Sequence, residues 1–231
     1  MNGWLAAVLD LLFPPNCPEC QQAMPELGQW CPNCLNRYKL DLVLEGEVQE
    51  LLYLDYITVL ADYGGAVRRL LQNIKFRHEQ AAAAYLRQLL PQSLAQLTMP
   101  PVMMTGQAKS LANWVTAVVP VPIHAERLQE RGYNQTNLIF QEWVIKQGLT
   151  WLDVLERVKP TAPQYSLNPG ERRANIKGAF KVTRPELVQN QHILLVDDIF
   201  TSGITLDECA HVLRGACATG VYGLVLASSA R

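Results

Sequence analysis

What this 231-residue sequence lacks narrows its class first. It has no apolar run long enough to span a bilayer, no internal repeat and no low-complexity segment. Excess charge is also missing: 20 Lys and Arg stand against 21 Asp and Glu, for a net charge of −1. That excludes a basic coat spread over the whole surface, so any anion site must be local. Charged residues make up only 18% and hydrophobic residues 49%, which argues against disorder and supplies a packed core. The length suits one large domain, or an ordinary domain with a small one attached. The opening stretch MNGWLAAVLDLLFPP has no basic leader and contains Asp10, so it reads poorly as a signal peptide. Its residues Trp4, Leu5, Val8, Leu9 and Leu12 recur at helical spacing and predict a short amphipathic helix that ends at Pro14-Pro15.

Cysteine is scarce outside one cluster. Four of the six cysteines form two CxxC pairs, Cys17/Cys20 and Cys31/Cys34. Each CxxC turn lets two thiolates reach one ion, and two turns supply the four tetrahedral ligands of structural zinc. Disulfides need an oxidising compartment and a redox CxxC would be single, so zinc is expected, with rubredoxin-like iron as the alternative. All four positions are filled by protein, so the ion would fold this region rather than catalyse. Cys209 and Cys217 read as small buried apolar residues. This cysteine usage predicts a cytoplasmic protein.

Three regions follow along the chain. Residues 1–40 hold the helix and the cysteine module. Residues 41–113 read as a connecting hairpin and helices, with a strand-like stretch in 48–63, a helix in AVRRLLQNIKF, a second helix in AAAAYLRQLLPQSLAQL and a loop in TMPPVMMTGQAKS. Residues 114–231 alternate strand and helix: WVTAVVPVP, a helical stretch broken at Gly-Tyr-Asn, LDVLERV, HILLVDD, the helix TLDECAHVLRGA, and GVYGLVLASS. The segment KPTAPQYSLNPGERRAN between them predicts a mobile loop. Alternation of this kind implies a mostly parallel sheet covered on both faces, an α/β fold.

The strand HILLVDD ends in Asp197 and Asp198, and TSGIT then leads into a helix. The hydroxyls of Thr201, Ser202 and Thr205, with the backbone N–H groups around Gly203, would face that helix start and suit a phosphate. Carboxylates just before the loop can accept hydrogen bonds from ribose hydroxyls, at the strand end where open α/β sheets bind ligands. The plainer reading is a helix cap by Thr201 and Ser202. An acid pair beside the loop exceeds what a cap requires.

LLVDDIFTSGIT resembles the signature with which type I phosphoribosyltransferases bind 5-phosphoribosyl-1-pyrophosphate (PRPP). That resemblance assigns the ribose hydroxyls to Asp197 and Asp198, and the 5-phosphate to Thr201, Ser202, Gly203 and Thr205. VPVPIHAERLQERGYNQ, PQYSLNPGERRANIKGAF and the signature, in this order behind a four-cysteine module that opens LLFPPNCPEC, resemble the ComF family. The resemblance covers nearly the whole chain. It implies a type I phosphoribosyltransferase core behind a small zinc module, and a role in natural transformation and DNA uptake.

Positive charge is concentrated in residues 157–184, where Arg157, Lys159, Arg172, Arg173, Lys177, Lys181 and Arg184 face one acid, Glu171. The bland reading is a solvated face. The functional reading is a lid over PRPP, with Arg172 neutralising the leaving pyrophosphate. A single-stranded DNA track would need the same charge plus aromatics such as Tyr165 and Phe180. Arg127 and Arg131, one helical turn apart before Gly132-Tyr133-Asn134-Gln135, are a second pyrophosphate candidate. Lys75, Phe76, Arg77 and His78 form a lesser patch.

The expected catalytic set is therefore Asp197, Asp198, Arg127, Arg131 and Arg172. The expected chemistry is displacement of pyrophosphate from ribose C1, with Mg²⁺ carried by PRPP and structural Zn²⁺ elsewhere. The competing expectation is a non-catalytic competence protein. Its PRPP-like site would hold a nucleotide or 5-phosphate, and its partners would be single-stranded DNA and a competence helicase. A homodimer is among the assemblies allowed.

Overall fold

The computed structural model describes residues 15–46, 49–97, 111–160 and 169–228, without the side chains of 169, 170 and 172. The expected N-terminal helix, the loop at 98–110, the first half of the Pro-rich loop and the Arg172 side chain lie outside the described residues.

A six-stranded sheet organises the molecule. Its strands are β1 (Lys39–Glu45), β2 (Tyr56–Asp62), β3 (Ala117–Pro120), β4 (Thr150–Trp151), β7 (His192–Phe200) and β8 (Gly220–Ser228). They lie in the order β1-β2-β8-β7-β3-β4. β1 and β2 pair antiparallel, and every other pairing is parallel. β7 and β8 are buried at nearly every position, as central strands covered on both faces must be. The α/β class and the mostly parallel sheet agree with the expectation.

Helices cover both faces. α1 (Pro32–Tyr38), α2 (Gly65–Arg77), α3 (Ala82–Arg87) and α5 (Gln135–Lys146) contribute to one core, with Leu70, Leu71, Ile74, Leu86, Ile139 and Phe140 packed beneath Leu194 and Val196. α7 (Ile204–Gly215) contributes Leu206, Cys209, Ala210 and Leu213 to the other core, against Ile193 and Leu195. β7 alternates between the two cores with the period of two that a strand imposes. Between β3 and α5 stands α4 (Ala125–Arg131), none of whose residues is buried. Gly132 ends it at φ 82°, a left-handed conformation that glycine adopts without cost.

Four expectations are corrected. The second helix predicted from Ala81 onward stops at Arg87; Pro91 cannot continue it, and the chain restarts as a 3₁₀ turn at Leu94–Gln96 under a Ser93 capping box. LDVLERV does not form a strand of the main sheet. Its Leu155–Arg157 (β5) pairs antiparallel with Phe180–Val182 (β6) in a separate two-stranded ribbon, because Thr183 and Arg184 donate to the carbonyls of Val154 and Asp153. The second half of the Pro-rich loop is helical, α6 (Pro169–Ile176), with Pro at its first position. Cys209 is buried as expected, but Cys217 is exposed, since it follows α7 in a turn at φ 64°.

Candidate functional site

The strand order creates a crevice. β3 and β7 are neighbours, with Pro120 in register with Val196. The chain leaves β3 toward the α5 face and β7 toward the α7 face. Adjacent parallel strands whose connections diverge open a ligand cleft at their carboxyl ends. A pocket of about 610 Å³ lies there, and its lining includes Lys75, Arg127, Arg131, Arg157, Asp197 and Asp198.

Each polar wall comes from a different element. Asp197 and Asp198 end the apolar run of β7 and are 9% and 4% exposed. Asp197 Oδ1 accepts from the Asp198 backbone N–H at 2.8 Å. Burial, reinforced by the neighbouring Asp198 charge, pushes the Asp197 carboxyl well above the usual carboxylate range. Lys75, near the end of α2, forms an ion pair with Asp198. Arg131 is held by Gln135 of α5. Its pKa falls because burial disfavours the cation, while Asp198 pulls the other way. Arg157 of β5 is lowered by burial and by nearby Arg127, and it lies 5.6 Å from the Phe180 ring centroid.

The hydroxyl–glycine loop sits beside this pocket. Thr205 lines the pocket itself. Thr201, Gly203 and Thr205 line an adjoining cavity of about 20 Å³, room for about one water. The Ser202 hydroxyl oxygen is buried with no hydrogen-bond partner among the described residues. Gly203 takes φ 72° at the start of α7. A Cβ there would come within 2.7 Å of Leu51 and 2.8 Å of Phe200, so glycine is demanded by close packing as well as by the backbone.

The structure thus brings Asp197, Asp198, Thr205, Arg127 and Arg131 to one pocket. The basic run does not arrive with them as a unit. Arg157 lines the pocket, but Lys181 pairs with Glu156 at 3.0 Å, Arg184 donates to the Asp153 carbonyl, and Lys159 donates to the Lys177 carbonyl. Arg173 donates to the Glu50 carbonyl at 2.6 Å. Lys75 instead supplies the cation nearest the acids. Only its proximity to Phe76 and His78 marked it in the sequence, because a pairing 123 residues apart leaves no local pattern.

The second site is the cysteine cluster. The four Cys17, Cys20, Cys31 and Cys34 sulfurs lie within 4.8 Å of one another, and Cys20 and Cys31 are 3.6 Å apart. A tetrahedron with Zn–S of about 2.3 Å has edges of about 3.8 Å, so the spacing fits that ion and is too long for a disulfide. Burial opposes ionisation of Cys17, but backbone N–H groups of Cys20, Cys31 and Glu19 outweigh it and hold the thiol down to about 6. Burial pushes Cys34 up to about 12. The knuckle is tied to the sheet domain: Glu19 accepts from the Ala66 N–H at 2.8 Å at the start of α2, and the Trp30 indole donates to the Tyr85 carbonyl at 2.9 Å. Gly28 approaches Ala84 so closely that a Cβ would lie 2.7 Å from the Ala84 methyl.

A mostly parallel α/β fold with an acid pair at a strand end, bound to a four-cysteine knuckle, defines the class. Comparison with known proteins narrows it. Residues 8–43 match the double zinc ribbon domain family. The chain is 30% identical over 212 residues to the DNA utilization protein YhgH of Salmonella typhimurium, covering 90% of this chain and 88% of that one. It is 31% identical over 223 residues to competence protein F of Haemophilus influenzae, covering 92% and 85%. The chain belongs to the family of competence protein F and YhgH. A solved structure of the allosteric regulatory enzyme of purine biosynthesis aligns over 48% of this chain and 22% of its own, at 18% identity and a TM-score of 0.32, too slight a likeness to bear on the fold. Among the described residues no helix is long and apolar enough to cross a membrane.

Proposed function

We propose that this protein binds PRPP with Mg²⁺ in the pocket between β3 and β7, as a phosphoribosyltransferase-like member of its family, and serves the use of DNA taken up from outside. The observation that carries the reading is the pairing of two buried adjacent carboxylates with Lys75, Arg127, Arg131 and Arg157 around one cavity. PRPP asks for that combination: diol acceptors for the ribose and cations for the pyrophosphate. Mg²⁺ would supply charge neutralisation across the pyrophosphate and ribose oxygens. Asp197 and Asp198 would accept from the ribose hydroxyls, and Asp198 would exchange Lys75 for them. Arg127 and Arg131 would take up negative charge as the bond from C1 to pyrophosphate breaks. Thr201, Ser202, Gly203 and Thr205, with the start of α7, would hold the 5-phosphate. The unpartnered Ser202 hydroxyl supports that role. The adjoining cavity holds about one water, so the loop would have to open for a phosphate.

The cysteine cluster would hold one structural Zn²⁺. We place the division at residues 1–40 for the helix and knuckle, with 41–113 as a connecting part of the core that continues into the PRPP-binding segment 114–231. DNA use rests on what the relatives are called, competence protein F and DNA utilization protein. Titration calorimetry of the whole chain with PRPP, with and without Mg²⁺, is the test, alongside pyrophosphate release with and without single-stranded DNA. Micromolar binding without release would leave a ligand-binding protein; absence of binding would refute the assignment.

A further inference from the structure

The outer face of α2 joins the two sites. The helix GAVRRLLQNIKFR carries Arg68, Arg69, Lys75 and Arg77 and no acid, in a chain whose net charge is −1. A groove of about 480 Å³ runs along it from Pro18 of the knuckle past Arg69, Gln72 and Asn73 to Phe76 and Arg77. Phe76 also lines the acid-pair pocket, so the two depressions meet at its ring. That ring is 73% exposed. The nearby acids are engaged: Glu19 receives the Ala66 N–H and Arg69, and Glu79 receives the Asn73 amide.

Exposing a phenyl ring to water on a cationic face gains nothing for folding, since the same helix buries Leu70, Leu71 and Ile74 beneath it. Cations and amide donors in line, ending at an exposed flat aromatic, match a ligand that alternates phosphates with planar rings. Only an unpaired strand offers both, because bases in a duplex are already stacked. We infer that the α2 face, from the cysteine knuckle to the acid-pair pocket, is a track for single-stranded nucleic acid, with Phe76 as the platform on which one base stacks. This surface is separate from the PRPP reading, and the two can fail independently.

The test is fluorescence anisotropy of the full chain with a short mixed-sequence single strand labelled at its 3′ end, over a series of salt concentrations. Phe76→Ala should weaken binding roughly tenfold with an unchanged salt slope, because stacking is lost and no phosphate contact is. Arg77→Gln should leave stacking intact and lower the slope by roughly 0.7. With an abasic strand, Phe76→Ala and the parent should bind alike. Both side chains are exposed, so the thermal midpoint should hold and exclude misfolding. A parent that binds no strand at low salt overturns the track. So does a Phe76→Ala variant equal to the parent, or one that loses as much on the abasic strand. PRPP binding by the same Arg77→Gln preparation reports on the pocket separately.

Discussion

The cysteine knuckle and the acid-pair pocket lie toward opposite ends of one helix, and they are built in opposite ways. In the knuckle, polar groups find partners: Glu19 caps α2, the Trp30 indole reaches the Tyr85 carbonyl, and Arg69 donates to the Pro18 carbonyl. Its Cys17, Trp30, Cys31, Cys34 and Tyr38 belong to the same buried cluster as α2, α3 and α5. In the pocket, two carboxylates are buried side by side and the Ser202 hydroxyl is left without a partner among the described residues. Two adjacent buried acids cost stability unless a ligand or counter-charge offsets them. The satisfied region holds the fold, and the unsatisfied one is shaped for something that arrives later.

The largest effect expected is on the satisfied side. Cys31→Ser should reduce zinc from about one per chain to near none, and the thermal midpoint should fall by roughly 10 °C or more, because the core does not stop at the knuckle. Metal analysis and scanning fluorimetry would measure both. A stable, zinc-free variant would show that the knuckle is only an appendage.

Next comes the acid pair. Asp197→Asn with Asp198→Asn should weaken Mg-PRPP binding by roughly 100-fold, about 2.7 kcal/mol. The free protein should be as stable as the parent or more so. Asp197 titrates above its unfolded value, so the folded state holds that proton more tightly. Its contribution favours folding at low pH and is lost as pH rises through the raised value. Removing the titration should therefore help most at neutral pH and above. If denaturation midpoints drop in step with affinity, the acids hold the core instead.

The same shift gives a smaller, graded effect in the parent. Ionised Asp197 is the form that meets Mg²⁺ and ribose hydroxyls, so Mg-PRPP affinity should rise with pH through the raised value of Asp197. Calorimetry at several pH values should show proton release on binding. Smallest is Arg173→Ala, whose guanidinium is engaged with the Glu50 carbonyl. PRPP affinity should stay within about twofold, with a stability loss near 1 kcal/mol. A loss of 10-fold or more would return this residue to the lid.

How much of this was legible depended on how local the pattern was. Strand, acid pair, hydroxyl–glycine loop and helix are consecutive, so β7 and α7 could be read directly from ILLVDDIFTSGIT. The CxxC spacing carried its own geometry. The basic run misled because nearness in sequence is not convergence in space: β5 and β6 turn Lys181 toward Glu156, and Arg184 toward Asp153, on a ribbon apart from the main sheet. The Lys75–Asp198 pair was invisible for the converse reason, being made by tertiary packing across most of the chain.

The Glu19 cap on α2 has a consequence for the binding equilibria. It fixes the start of a helix whose Lys75 stands ten residues on, about 15 Å along the axis, against Asp198. If losing the metal frees that helix end, ligand affinity in the crevice must fall by some factor. Thermodynamic reciprocity then requires a filled crevice to tighten the hold on the metal by the same factor. Chelator competition with and without PRPP would read that factor from the metal's side, with no need to assay any reaction.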